Sequence, residues 1–165
     1  MVHTYSLKKD GATQLSPHFK VREFAEPGND EIKIDDRLPP FLEAIYTGLN
    51  CTKIIITSGY RSYARQEEIY KESKQGYAQK PGASEHQTGL CFDVTAQNDG
   101  SGFETTSQYA WLRKNAHKYG FIQRYPGNKA DVTGINYEPW HYRYVGIEAA
   151  TEIYRAGITL EEYLD

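Results

Sequence analysis

Two polar strings far apart in the chain, Ser84-Glu-His-Gln-Thr-Gly-Leu-Cys-Phe-Asp93 and Glu138-Pro-Trp-His141, constrain its fold more than any other feature. Two imidazoles and a carboxylate, from His86, His141 and Asp93, make a ligand set that suits Zn²⁺. Three protein ligands leave a fourth tetrahedral position open, as catalytic zinc requires and structural zinc does not. The chain must therefore fold so that both strings meet at one point. Glu138, just before His141, is placed to take the proton from a metal-bound water.

Each residue also has an ordinary reading. Most histidines are surface residues or satisfied hydrogen-bonding groups, and His3, His18 and His117 carry no surrounding motif and are read that way. Asp93 differs, because it follows an apolar pair and precedes Val94 in what reads as a buried strand, where an ionised carboxylate needs a partner or a metal. Gly89 permits a tight turn from a loop into that strand, so His86 and Asp93 can face one point. Pro139 disfavours helix at Glu138, which places the second string in a turn or strand entry.

Four strings, Ile56-Thr-Ser-Gly-Tyr-Arg-Ser62, Ser84 to Val94, Gly120-Phe-Ile-Gln-Arg-Tyr-Pro126 and Tyr137-Glu-Pro-Trp-His-Tyr-Arg-Tyr-Val-Gly146, occur in this order. With them the chain resembles the VanY-type D-alanyl-D-alanine carboxypeptidases, zinc peptidases of bacterial peptidoglycan grouped with lysostaphin-type enzymes and hedgehog domains. Cys91 and Gln123 depart from the family pattern, where a small residue such as Ala and an aliphatic residue are usual, and both are read as packing changes.

The resemblance implies one zinc per chain on His86, Asp93 and His141, with Glu138 as general base. It implies that Arg61 polarises the scissile carbonyl, and that Gln66, Ser84, Tyr125 and Trp140 line the groove for the peptide stem. Arg61 read simply as the arginine before a helix would oppose the macrodipole, which favours an anionic partner. The expected reaction is hydrolysis of the C-terminal D-alanine of peptidoglycan stem peptides, through a zinc-bound water activated by Glu138. Alternatives are L,D-carboxypeptidase or D,D-dipeptidase action, L-alanyl-D-glutamate endopeptidase action of the phage-lysin type, and a zinc-stabilised binding module. The complete string after Glu138 favours the carboxypeptidase over the lysin, and Glu138 with Arg61 favours turnover over a closed structural site. A cysteine nucleophile is disfavoured, since Cys91 sits between Leu90 and Phe92 and Cys51 has no adjacent catalytic partner.

At 165 residues, with 39% hydrophobic and 25% charged content, the chain suits one enzyme domain. The expected organisation is an N-terminal docking segment over 1–36, a catalytic core over 37–146 and C-terminal helices over 147–165. A net charge of −3 gives no argument for nucleic acid, and a monomer acting on peptidoglycan stem or precursor is expected. No leader or anchor is read at the start, so the expected location is extracytoplasmic for an excised domain and cytoplasmic otherwise. Pairing of Cys51 with Cys91 stays open, with reduced thiols favoured.

The hydrophobic pattern predicts strands at 53–57, 90–95, 121–124 and 140–145. Helices are expected at 39–49, 62–73, 106–119, 147–156 and 160–164. Phe19 and Phe24 are expected to anchor a docking element, and Tyr109, Leu112 and Ala116 to form one buried helix face. The loops 76–83 and 126–133 are expected to border the substrate groove. These elements lack regular βαβ alternation, so the expected fold is α+β, with a small central antiparallel sheet flanked by helices and the zinc site at the sheet, hedgehog/D-Ala-D-Ala-metallopeptidase-like.

Overall fold

The computed structural model describes residues 54–74, 77–96 and 102–165, together with strand segments at 4–8, 20–21 and 31–35 and the helical positions 44 and 48. The Phe19 and Phe24 anchors and Cys51 lie outside the described residues, as does the expected helix 39–49 apart from those two positions.

Seven strands are described. β1 (Thr4–Lys8) and β3 (Glu31–Asp35) form a separate antiparallel pair. The main sheet contains β2 (Lys20–Val21), β4 (Ile54–Ser58), β5 (Cys91–Ala96), β6 (Phe121–Tyr125) and β7 (Glu138–Tyr144). Their order is β2-β4-β5-β7-β6. The four longer strands run antiparallel, as expected, while the short β2 adds at the β4 edge in parallel.

β5 is therefore central, and the alternation of a strand sorts its side chains onto two faces. Phe92 and Val94 are buried with Tyr142 of β7 and with Tyr109, Leu112 and Ala116, the predicted helix face. Cys91 and Asp93 share the opposite face. Asp93 pairs with Ser58 on one side and His141 on the other. Register shifts in β4 between Ile56 and Ser58, and in β6 between Gln123 and Tyr125, bend the sheet at the rows holding these residues.

Five helices with described bounds flank the sheet: α1 (Tyr63–Glu72), α2 (Ser107–Asn115), α3 (Ala130–Thr133), α4 (Ile147–Ala156) and α5 (Leu160–Leu164). Local chemistry sets their starts. The hydroxyls of Ser62, Thr106 and Thr159 each accept a bond from a first-turn backbone N–H, a contact worth about 1 kcal/mol. α2 is shorter than the expected 106–119, because residues 116–119 tighten into a 3₁₀ turn closed by Gly120 in the left-handed conformation. The expected loop 126–133 contains α3. α4 lays Ala150 and Ile153 on Ile122, giving a second, smaller apolar cluster. Among the described residues no helix is long and apolar enough to cross a membrane.

Candidate active site and metal centre

The loop after α1 leads into a 3₁₀ turn, Glu85–Thr88, that ends at Gly89 with φ 73°. That left-handed residue, accessible to glycine without strain, turns the chain into β5 and sets His86 opposite Asp93. β7 supplies His141 directly beside Asp93 in the sheet.

The two imidazoles meet the carboxylate from different sides. His141 Nδ1 lies 2.9 Å from Asp93 Oδ1, and His86 Nε2 lies 3.4 Å from Asp93 Oδ2. The rings sit edge to face with centroids 4.9 Å apart. His86 Nδ1 is 2.7 Å from the Gly59 carbonyl, an acceptor that assigns the proton to Nδ1 and leaves Nε2 bare in the neutral ring. His141 Nε2 faces Glu85 Oε2 at 3.5 Å. Each ring thus has one nitrogen toward an outer acceptor and the other toward a common point beside Asp93, an arrangement that fits a zinc ion.

Electrostatics point the same way. Burial by itself lowers the imidazole pKa values, yet Cys91 and Asp93 outweigh it, pushing His86 up to about 9 and His141 well above its ordinary value. Burial raises Asp93 and the same histidines more than reverse it, holding the carboxyl well below its usual range. The cluster has strong affinity for positive charge, which protons and a divalent cation compete to supply.

Cys91 corrects the sequence-based expectation of packing alone. It is buried and free, but it sits on the Asp93 face of β5, and its sulfur lies within 4.8 Å of donor atoms of His86 and His141. The imidazoles pull its thiol down to about 7 against the opposing effect of burial. The period-two alternation from Asp93 to Cys91 carried this signal in the sequence.

Glu138 begins β7 opposite Tyr125 and is buried, with a carboxylate oxygen 3.8 Å from His141 Nδ1. Burial first, and then Asp93, push its carboxyl up to about 7 despite His141, His86 and Arg61. Arg61 lies across the cavity, its Nη2 3.8 Å from Asp93 Oδ2. It donates to Gln66 Oε1 at 2.7 Å and to Ser58 Oγ at 3.0 Å, and its backbone N–H donates to the His86 carbonyl.

Gln66 is buried on α1 and not on a solvated face. It spends its oxygen on Arg61 and donates to the Gln79 carbonyl at 2.7 Å, tying Arg61 to the loop before the motif. Ser84 is buried at the entry to the 3₁₀ turn, the Tyr125 ring leans on His141 at 5.0 Å, and Trp140 packs against the main core.

Every site residue named from the sequence, His86, Asp93, His141, Glu138, Arg61, Gln66, Ser84, Tyr125 and Trp140, lines one cavity of about 190 Å³. Tyr77, Ala78 and Gln79 from the 76–83 loop also line it. The 126–133 loop does not: Pro126, Asn128 and Lys129 instead border a larger hollow of about 250 Å³ behind the sheet, beside α2 and α4, which holds none of the site residues. Sequence reasoning passed over Glu85 and Arg124. The only cue to Glu85 was its place beside His86, and Arg124 had none beyond its place in the Gly120 to Pro126 string.

Comparison with known proteins gives a consistent result. The family described as VanY, D-alanyl-D-alanine carboxypeptidase, matches residues 42–147. The chain is 41% identical over 162 residues to a D-alanyl-D-alanine carboxypeptidase of Enterococcus faecalis, covering 87% of this chain and 59% of that protein. It spans about half the length of the first curated carboxypeptidases it matches. Among solved structures, the vancomycin-resistance D,D-pentapeptidase VanY from a VanB-type cassette, in complex with Zn(II), is 36% identical with a TM-score of 0.69. That match covers 92% of this chain and 93% of the other. The LD-carboxypeptidase LdcB is 37% identical with a TM-score of 0.73, covering 87% and 72%. The chain shares the fold of these structures, and its own cluster of His86, Cys91 and His141 on and beside the sheet could hold a metal ion.

Proposed function

We propose, from the premise that the chain belongs to the VanY family of D-alanyl-D-alanine carboxypeptidases, that it is a zinc-dependent peptidase releasing the C-terminal D-alanine of peptidoglycan stem peptides. The observation that carries this reading is the convergence of Glu138 and Arg61 on the His86, Asp93 and His141 cluster within one cavity. His86, Asp93 and His141 would hold a zinc ion, which would supply Lewis acidity for the scissile carbonyl and a water of lowered pKa.

The chain's own groups do the rest. Glu138, poised near neutrality by burial, accepts the proton of the attacking water and returns it to the leaving amine. Arg61 is held by Gln66, Ser58 and Asp93, so its guanidinium is already oriented for the negative charge that develops on the carbonyl oxygen. Gln66, with both polar ends engaged by protein, serves Arg61 more directly than it serves substrate. Ser84, Tyr125 and Trp140 form the wall along which the stem lies.

A second reading, L,D-cleavage of a tetrapeptide stem, is favoured by the similarity to LdcB, as close as that to the D,D-pentapeptidase. Mass spectrometry on a defined stem pentapeptide, a tetrapeptide and free D-alanyl-D-alanine separates the two. Loss of one alanine from the pentapeptide is expected, and loss from the tetrapeptide alone would transfer the assignment to L,D-cleavage. Amidating the terminal carboxylate is expected to abolish release. Undiminished cleavage of an amidated or internally extended stem would instead make the protein an endopeptidase.

A further inference from the structure

Glu85, the neighbour of His86 in sequence, serves the other imidazole. Its Oε2 lies 3.5 Å from His141 Nε2, and each of these two atoms is buried without a closer hydrogen-bond partner. Its Oε1 accepts from Arg124 Nε at 2.8 Å. Both Nη groups of Arg124 donate to the two carboxylate oxygens of Glu161, in α5 near the end of the chain. Arg124 is itself buried, at 4.9 Å over the Tyr125 ring. α5 is fixed where it meets Arg124, because Thr159 and Glu162 form a reciprocal capping box and Lys129 donates to Glu162 Oε1 at 2.6 Å.

We propose that Glu161 is a positioning residue of the metal site, acting through Arg124 and Glu85 on His141. A guanidinium offers two Nη groups and one Nε in a rigid plane. Glu161 occupies both Nη groups, so only Nε reaches Glu85, and the second oxygen of Glu85 stays on His141 Nε2. That contact fixes the ring with Nδ1 toward Asp93. Without Glu161 the freed Nη groups are able to take both oxygens of Glu85 and draw the carboxylate off the histidine. The ring then loses the acceptor that sets its tautomer and orientation. The inference rests on the reading of His141 as a zinc ligand.

The test uses the full chain loaded with zinc. Zinc affinity is measured by competition with a chromophoric chelator, and the His141 Nε2–H resonance is followed by NMR. Glu161→Ala is expected to weaken zinc binding about 10–100-fold, as loss of an outer partner of a ligating histidine typically does, and to expose the Nε2–H to exchange. Glu161→Asp should recover part of both. Lys129→Ala cuts the other tie of α5 without touching Arg124, and is expected to leave both readouts as in the wild type. Unchanged affinity and a protected resonance in Glu161→Ala would overturn the proposal. So would an equal loss in Lys129→Ala, which would reduce the effect to helix docking. A wild-type protein that binds no zinc would overturn the metal site and this inference together. One that binds zinc as described yet releases no D-alanine would remove only the proposed activity.

Discussion

Glu138 shows how one side chain acquires its chemistry from its surroundings. A carboxyl exposed to water is ionised well below neutrality and is a poor base there. Burial and the nearby Asp93 bring Glu138 to about 7, a value that suits the role of proton acceptor and donor proposed for it. Glu138→Gln keeps the size and removes the base. The expected result is full zinc content by elemental analysis and a turnover lower by about 10²–10⁴-fold; near-normal D-alanine release would place the base elsewhere. In the proposed mechanism Arg61 acts on charge that exists only in the transition state, so Arg61→Ala should lower kcat by about 10²–10³-fold with little change in KM. A rise confined to KM would make it the dock for the substrate carboxylate.

At the scale of elements, the site depends on how chain segments are joined. Gly120 closes the 3₁₀ turn after α2 at φ 83° and leads into β6, and its carbonyl accepts from the Val145 N–H. A β-carbon there would lie 2.6 Å from Tyr144 Cε2 and 3.1 Å from the Gly146 backbone carbonyl carbon. Gly120→Ala therefore combines left-handed strain of about 1–2 kcal/mol with overpacking of about 1–3 kcal/mol. Chemical denaturation is expected to show a lowered midpoint with an unchanged slope. A midpoint equal to the wild type would mean that this corner relaxes freely.

Across the whole molecule, metal and protons act on stability through the same cluster. Zinc that binds only the folded chain, at about 100 times its dissociation constant, adds about 2.7 kcal/mol. For a chain of this size that corresponds to roughly 5–10 °C in Tm. Chelation should remove both this increment and hydrolysis, and added zinc should restore them; an unchanged Tm and activity after complete metal removal would contradict the site. Glu85, against His141, adds a contribution to acid stability. Burial raises its carboxyl pKa, but His141 and Arg124 together bring it down to about 2 from an ordinary 4.5. Between those values the unfolded chain binds more protons than the folded one. The stabilisation is thus complete above about pH 4.5 and is lost as pH falls toward 2. In metal-free protein Glu85→Gln should flatten the pH dependence of unfolding in that window, and an unaltered slope would show that other groups govern it.

The amino-acid sequence by itself determined the candidate zinc donors, the candidate base and most of the elements that carry them. Residue type and short spacing decide those features: His86 and Asp93 lie either side of a glycine turn, Glu138 and His141 lie in one strand, and Tyr109, Leu112 and Ala116 repeat at helical period. Tertiary structure decided what reaches those residues from a distance. It turned Gln66 inward to hold Arg61, set Cys91 beside the imidazoles, and moved the 126–133 loop away from the cavity. It also brought Glu161 from the last helix through Arg124 to Glu85. Apart from the period-two step that puts Cys91 on the Asp93 face, these depend on strand register, on bulges in β4 and β6 and on how α1 and α5 dock, which arise from contacts between segments remote in sequence and leave no local pattern in the chain.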